Sequence, residues 1–163
     1  MALVKPVDDE FWKINSGFGN RRNPFPPPPF KMHNGIDLAT PIGSNVYAVE
    51  SGTIKKIGIN SRSGLYMIVD HDNNLESRYA HLKSFKGSEG DTVNQGQIIA
   101  TTGNSGNTTG AHLHYGLRKN GKFVDPAQES LYGVNYRRIF TGLAAAFAIY
   151  KYVIPYLEEK RAS

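Results

Sequence analysis

From residue 43 to residue 126 the chain is a succession of short β-like runs, and this constrains its fold more than any other feature. The runs 46–49, 53–59, 65–70, 75–81, 97–102 and 112–118 are rich in branched and aromatic residues. Turn signals separate them at Ser51-Gly52, Asp72-Asn73-Asn74, 87–91, 103–110 and Asn120-Gly121. The last of these predicts a hairpin between 112–118 and 122–124. Connections this short, with no helical periodicity between them, predict an all-β, mostly antiparallel body. The length of 163 residues suits one domain and an appendage, divided here into 1–130 and 131–163.

Two segments break the pattern. The stretch RRNPFPPPPF at 21–30 carries four consecutive prolines, 26–29, within a Pro-rich loop spanning 24–30. Such a run serves either as a polyproline recognition ligand or as a stiff loop skirting the fold, and the second reading is preferred. The β pattern also stops near Leu131. Beyond it, residues 139–157 hold 19 residues with one charge, Lys151. A helix of that length just crosses a hydrocarbon core of about 30 Å. Tyr150, Tyr152 and Tyr156 resemble an interfacial belt, and Lys151 is near enough to one end to snorkel. The competing expectation is an Ala-rich helix, ended or kinked at Pro155, packed on the domain or on a partner.

Composition excludes several function classes. With no cysteine there is neither a disulfide framework nor a thiolate metal site. The net charge of +5 is uneven: residues 1–130 carry 14 Lys/Arg against 12 Asp/Glu, and residues 131–163 carry 5 against 2. The nearly balanced body has no basic stripe for nucleic acid. The N-terminal MALVKPVDDEFWK places acidic residues where an export signal has its apolar core, so no signal peptide is expected.

Four of the five histidines share a chemical logic. His33-Asn34-Gly35-Ile36-Asp37 sets a histidine and an aspartate four residues apart, and the Asn-Gly between them predicts a turn feeding a strand. His112 and His114 alternate on one strand and so share a face. His81 ends the run ESRYAHL. Imidazoles and a carboxylate are ligands that suit zinc, and three of them with one open position make a catalytic arrangement. The carboxylate offsets part of the ion's charge while leaving its water acidic. Spacing alone leaves His112 open as a ligand. His71, in VDHDNN, is expected to be structural or solvent-exposed. Asn15, Arg21 and Tyr79 flank these segments and are candidates for lining a cleft, or equally for packing and loop hydrogen bonds. The loop NSGNTTG before the paired histidines is expected either to contact substrate or to shape the turn.

The ordered set HNGIDLATPIGSNVYAVESGTI, RYAHL and GNSGNTTGAHLHYGLRKNG resembles the lysostaphin/LytM-type zinc metallopeptidases, which cut peptides of bacterial peptidoglycan. The likeness covers roughly residues 15–127, with GFGNRRNP resembling the family's entry segment and VDP at 124–126 its exit. The resemblance implies that His33, Asp37 and His114 bind Zn2+, and that His81 and His112 are catalytic histidines that do not bind it. It implies a zinc-dependent endopeptidase whose substrate is a peptidoglycan cross-link or stem peptide. The alternative is a non-catalytic wall-binding or structural virion protein that keeps the fold. The Pro26–Pro29 run and the C-terminal segment depart from the family's catalytic unit.

A wall substrate combined with an absent signal peptide suggests a phage enzyme, virion-associated or released at lysis. A bacterial protein anchored in a membrane by its C-terminus is the other expectation. Either way, residues 134–160 are expected to engage a membrane or a virion structural partner.

Overall fold

The computed structural model describes residues 3–25 and 27–132. A single 3-10 turn, Asp9–Phe11, precedes twelve strands. These are β1 (Ile14–Ser16), β2 (Gly19–Arg22), β3 (Phe30–His33), β4 (Ile36–Ala39), β5 (Asn45–Tyr47) and β6 (Gly52–Asn60). They continue with β7 (Gly64–His71), β8 (Leu75–Phe85), β9 (Thr92–Val93), β10 (Ile98–Thr102), β11 (His112–Lys119) and β12 (Lys122–Val124). A short helix α1, Pro126–Tyr132, follows.

Ten strands form one sheet along the path β1-β4-β11-β8-β7-β6-β9, with β12 beside β11 and β10 joining β8 to β5. Strands β2 and β3 form a separate two-stranded sheet. Every pairing is antiparallel, as the alternating runs and short turns require. The hairpin at Asn120-Gly121 forms as expected, with positive φ at both residues.

The strands that carry the histidines are anchored by their other face. Ile36 and Leu38 of β4 and Leu113, Tyr115 and Leu117 of β11 are fully buried. Alternation then turns Asp37, His112 and His114 to the opposite side. Register completes the placement: His114 lies opposite Asp37 on β4 and opposite Ala80 on β8.

Several elements are absent from the sequence reading. β1 to β3 and the two-residue β9 extend the strands beyond those expected, and the helix at Pro126–Tyr132 is additional, whereas β4 is the strand that the Asn34-Gly35 turn is expected to feed. Pro27, Pro28 and Pro29 of the proline run lie in the connection of the β2–β3 hairpin. Asn23 organises that loop: its side-chain amide donates to the carbonyls of Phe25 and Pro28, and its own N–H donates to Pro29. Carbonyls that prolines cannot pair among themselves thereby find donors. The segment 134–160, expected to be a hydrophobic helix, lies outside the described residues. Among the described residues no helix is long and apolar enough to cross a membrane.

Candidate metal centre and active site

His33 ends β3 in the small sheet, and Asp37 sits on β4 in the large one, so the Asn34-Gly35 turn carries the chain from one sheet to the other. The turn passes directly over β11. A Cβ at Gly35 would collide with the Tyr115 carbonyl oxygen and lie 3.0 Å from the His114 ring. Only glycine allows this approach, and the approach is what brings His33 to His114.

Three atoms converge there. His33 Nε2 lies 3.1 Å from Asp37 Oδ1, His114 Nδ1 lies 2.9 Å from the same oxygen, and the two ring nitrogens are 3.0 Å apart. His33 Nδ1–H donates to the Gly17 carbonyl at 2.7 Å, which leaves Nε2 as the ring nitrogen that faces inward. An imidazole lone pair and a carboxylate oxygen this close repel each other unless a proton or cation stands between them. The donor set therefore fits a divalent metal: two imidazoles and one carboxylate, with ligand atoms all within 4.8 Å of one another.

The electrostatics point the same way. Burial alone would raise the Asp37 carboxyl, but hydrogen bonding and charge from His114 and His33 outweigh it, holding the group far below the usual carboxylate range. Burial pushes the His114 imidazole down, against the pull of Asp37. A deprotonated carboxylate and a neutral imidazole are the forms that bind metal. Arg21 Nη2–H donates to Asp37 Oδ2 at 3.1 Å, occupying one carboxylate oxygen and leaving Oδ1 to the cluster. Of the three flanking candidates, Arg21 alone is brought to the site. Asn15 is exposed on β1, and Tyr79 is fully buried against Tyr115, ring centroids 5.8 Å apart, rather than lining a cleft.

His81 and His112 stand beside this cluster with ring centroids 4.6 Å apart. His112 Nδ1–H donates to the Gly110 carbonyl at 2.8 Å, while Nε2 faces Asp37 Oδ1 at 3.7 Å. His81 occupies a left-handed backbone conformation, φ 60°, where the β7–β8 register shifts. This conformation is strained for a non-glycine residue and is held by its N–H donating to the Ser63 carbonyl. Its Nδ1–H donates to the Ser105 carbonyl at 2.8 Å, which directs Nε2 away from the loop. Burial, reinforced by the neighbouring His112 and His114, pushes the His81 imidazole down to about 4. It is neutral near pH 7.

Ser105 is the functional residue that sequence reasoning did not single out. Its hydroxyl donates to Leu82 C=O at 2.7 Å and accepts from Leu65 N–H at 3.0 Å, tying the loop 104–110 to β7 and β8 on either side of His81. Gly106, φ 78°, makes the closure possible, since a Cβ there would collide with Gly64 N. The only sequence signal for it is local: a serine between glycines, immediately before the paired-histidine strand. His71 is structural as expected, buried between Ser51 and Ser77 away from the cluster.

Fold and cluster together define a candidate metal-binding scaffold, with converging imidazole and carboxylate donors on an antiparallel sheet and two further imidazoles beside them. The sequence profile of peptidase family M23 matches residues 31–126, which contain all five of these side chains. The chain belongs to peptidase family M23, a family of metallopeptidases. It is 35% identical over 137 residues to the peptidoglycan DD-endopeptidase ShyC of Vibrio cholerae, covering 80% of this chain and 31% of that protein. A crystal structure of a zinc-containing peptidase from Vibrio cholerae superposes with TM-score 0.71 at 35% identity, covering 77% of this chain and 39% of that one. The catalytic domain of lysostaphin from Staphylococcus simulans superposes with TM-score 0.64 at 29% identity, covering 71% and 90%. The chain spans less than a third of the length of these curated relatives, ShyC and two other Vibrio cholerae peptidoglycan DD-endopeptidases, ShyA and ShyB.

Proposed function

We propose that this protein is a zinc-dependent endopeptidase that hydrolyses peptide bonds in bacterial peptidoglycan. The observation that carries the reading is the convergence of His33, Asp37 and His114 beside two imidazoles that do not join the cluster's shortest contacts. Zinc suits two imidazoles and one carboxylate, and the Vibrio cholerae structure similar to this chain is described as zinc-containing. The substrate class follows the relatives, of which ShyC is named a peptidoglycan endopeptidase.

Bound by His33, Asp37 and His114, the ion supplies Lewis acidity toward the scissile carbonyl and acidifies water. The rest belongs to the chain. His112, with Nδ1–H committed to Gly110, offers Nε2 as the proton acceptor. His81, neutral and oriented by Ser105, offers a second nitrogen that accepts a hydrogen bond from the attacking water and holds it in place. The captured proton then passes to the leaving amine. Arg21 keeps Asp37 fixed throughout.

The test is mass spectrometry of fragments released from defined peptidoglycans by the full chain, with chelator and zinc add-back. Peptide-bond fragments that vanish with chelator and return with zinc are expected. Release of no fragments by the zinc-loaded chain, or release unaffected by chelation, overturns the reading.

A further inference from the structure

A second feature lies next to the histidine cluster. A cleft of about 620 Å³ opens between the proline loop and the β6–β7 turn. Phe25, Pro27 and Pro28 form an apolar wall, while Lys31, Arg62 and Asn107 line the remainder. No acidic side chain lines it, and neither Lys31 nor Arg62 has a carboxylate partner among the described residues. Unpaired cations beside a rigid apolar wall suit a ligand with an anionic group on a partly apolar body.

The cleft is built from the elements that position the cluster. Alternation along β3 puts Lys31 on the same face as His33, and pairing sets Arg21 opposite Lys31. Across the cleft, Arg62 precedes Ser63, whose carbonyl accepts the His81 N–H. Asn107 N–H donates to the Arg62 carbonyl at 3.1 Å, which ties the 104–110 loop to this wall. A peptide running out of the histidine cluster along β3 would therefore pass between Lys31 and Arg62.

We infer that this cleft is a substrate subsite, in which Lys31 and Arg62 hold a carboxylate of the peptide strand flanking the scissile bond. Phe25, Pro27 and Pro28 pack against that strand's aliphatic carbons. The inference rests on the endopeptidase reading and adds to it a preference for anionic peptide. It also accounts for the proline run, because a wall of prolines loses little conformational freedom when a ligand packs on it.

The experiment compares two cross-link peptides of one sequence, one with the flanking carboxylate free and one with it as the carboxamide. Full chain and the double variant Lys31→Gln/Arg62→Gln are tested for cleavage with zinc and for binding after chelation. The free acid is expected to be cleaved with a kcat/KM roughly five- to tenfold higher, expressed in KM, the scale of an exposed charge-assisted contact. The acid-to-amide ratio should fall toward one in the double variant and at high salt. A ratio of one in the native chain, or an unchanged ratio in the double variant, overturns the subsite. If neither peptide is cleaved but the chelated chain still binds the acid selectively, the endopeptidase reading fails and the subsite stands. Absence of both cleavage and selective binding removes the subsite as well.

Discussion

His71 and His81 are both imidazoles that burial holds below the ordinary histidine range, and they serve different ends. His81 leaves one nitrogen facing the cluster, whereas His71 spends both. Its Nδ1–H donates to Ser51 C=O at 3.0 Å, Nε2 accepts from the Ser77 hydroxyl at 2.7 Å, and the Tyr79 hydroxyl lies 3.0 Å further on. This buried chain needs the neutral ring. Since the folded state resists protonation, the unfolded chain takes up the proton first, near an ordinary histidine's 6.5. The stability His71 contributes is thus complete above that pH and declines below it. His71→Gln is expected to cost about 1–2 kcal/mol at pH 7.5, from the lost buried hydrogen bonds. The gap between native and variant should narrow as pH falls from 7.5 to 5 in urea denaturation. A gap independent of pH would show that His71 keeps its protonation state on unfolding.

At the scale of elements, what decides the site is how the 104–110 loop grips β7 and β8. Ser105→Ala removes the partner of Leu65 N–H and the donor to Leu82 C=O, loosening the loop whose carbonyl orients His81. Its kcat is expected to fall roughly tenfold with metal content unchanged, a fraction of the 10²–10⁴-fold that a positioned acid–base group supplies. His81→Ala should lose that larger factor and keep its zinc, whereas His114→Ala should lose zinc and activity together. Metal analysis of each purified variant, alongside turnover, checks this. Loss of zinc in Ser105→Ala would place the loop's role in the metal cluster instead.

The same loop shows where sequence reasoning reaches and where it stops. The strands from β5 onward are legible because alternation and turn residues are local signals, and β9 escapes because two residues carry no period. The Asn34-Gly35 turn announces β4, but strands β1 to β3 are not legible. Each spans three or four residues, and prolines that forbid pairing in the β2–β3 loop say nothing of the strands flanking it. The five site residues stand out by type and spacing, and the structure brings their side chains close together. Gly35, Arg21 and Ser105 act through contacts between segments far apart in the chain, fixed by register and by a bulge. No local pattern encodes such contacts, and the same is true of Tyr79, whose place in the core depends on Tyr115 across β11.

For the whole molecule, the open matter is how the peptidase body relates to the last thirty residues. Among the described residues, the core side chains run from Val7 to Leu117, and the fivefold cluster lies within the same span. A chain ending at residue 132 retains all of them and is expected to fold and bind zinc. The remaining segment has 19 residues, 139–157, with one charge, flanked by Arg137 and Arg138 on one side and Lys160 and Arg161 on the other. Such a segment is costly to expose to water, at about 25 cal/mol per Å² of apolar surface. We propose that it anchors the peptidase to a membrane or into a virion structure, with the catalytic body at the cell wall. The full chain should then need detergent to remain soluble, and the chain ending at 132 should not, with zinc content and turnover per molecule alike in the two. Partition of the full chain into lipid vesicles selects the membrane; detergent dependence without partition selects a protein partner. A full chain that sediments as a monomer in buffer alone overturns anchoring in both forms.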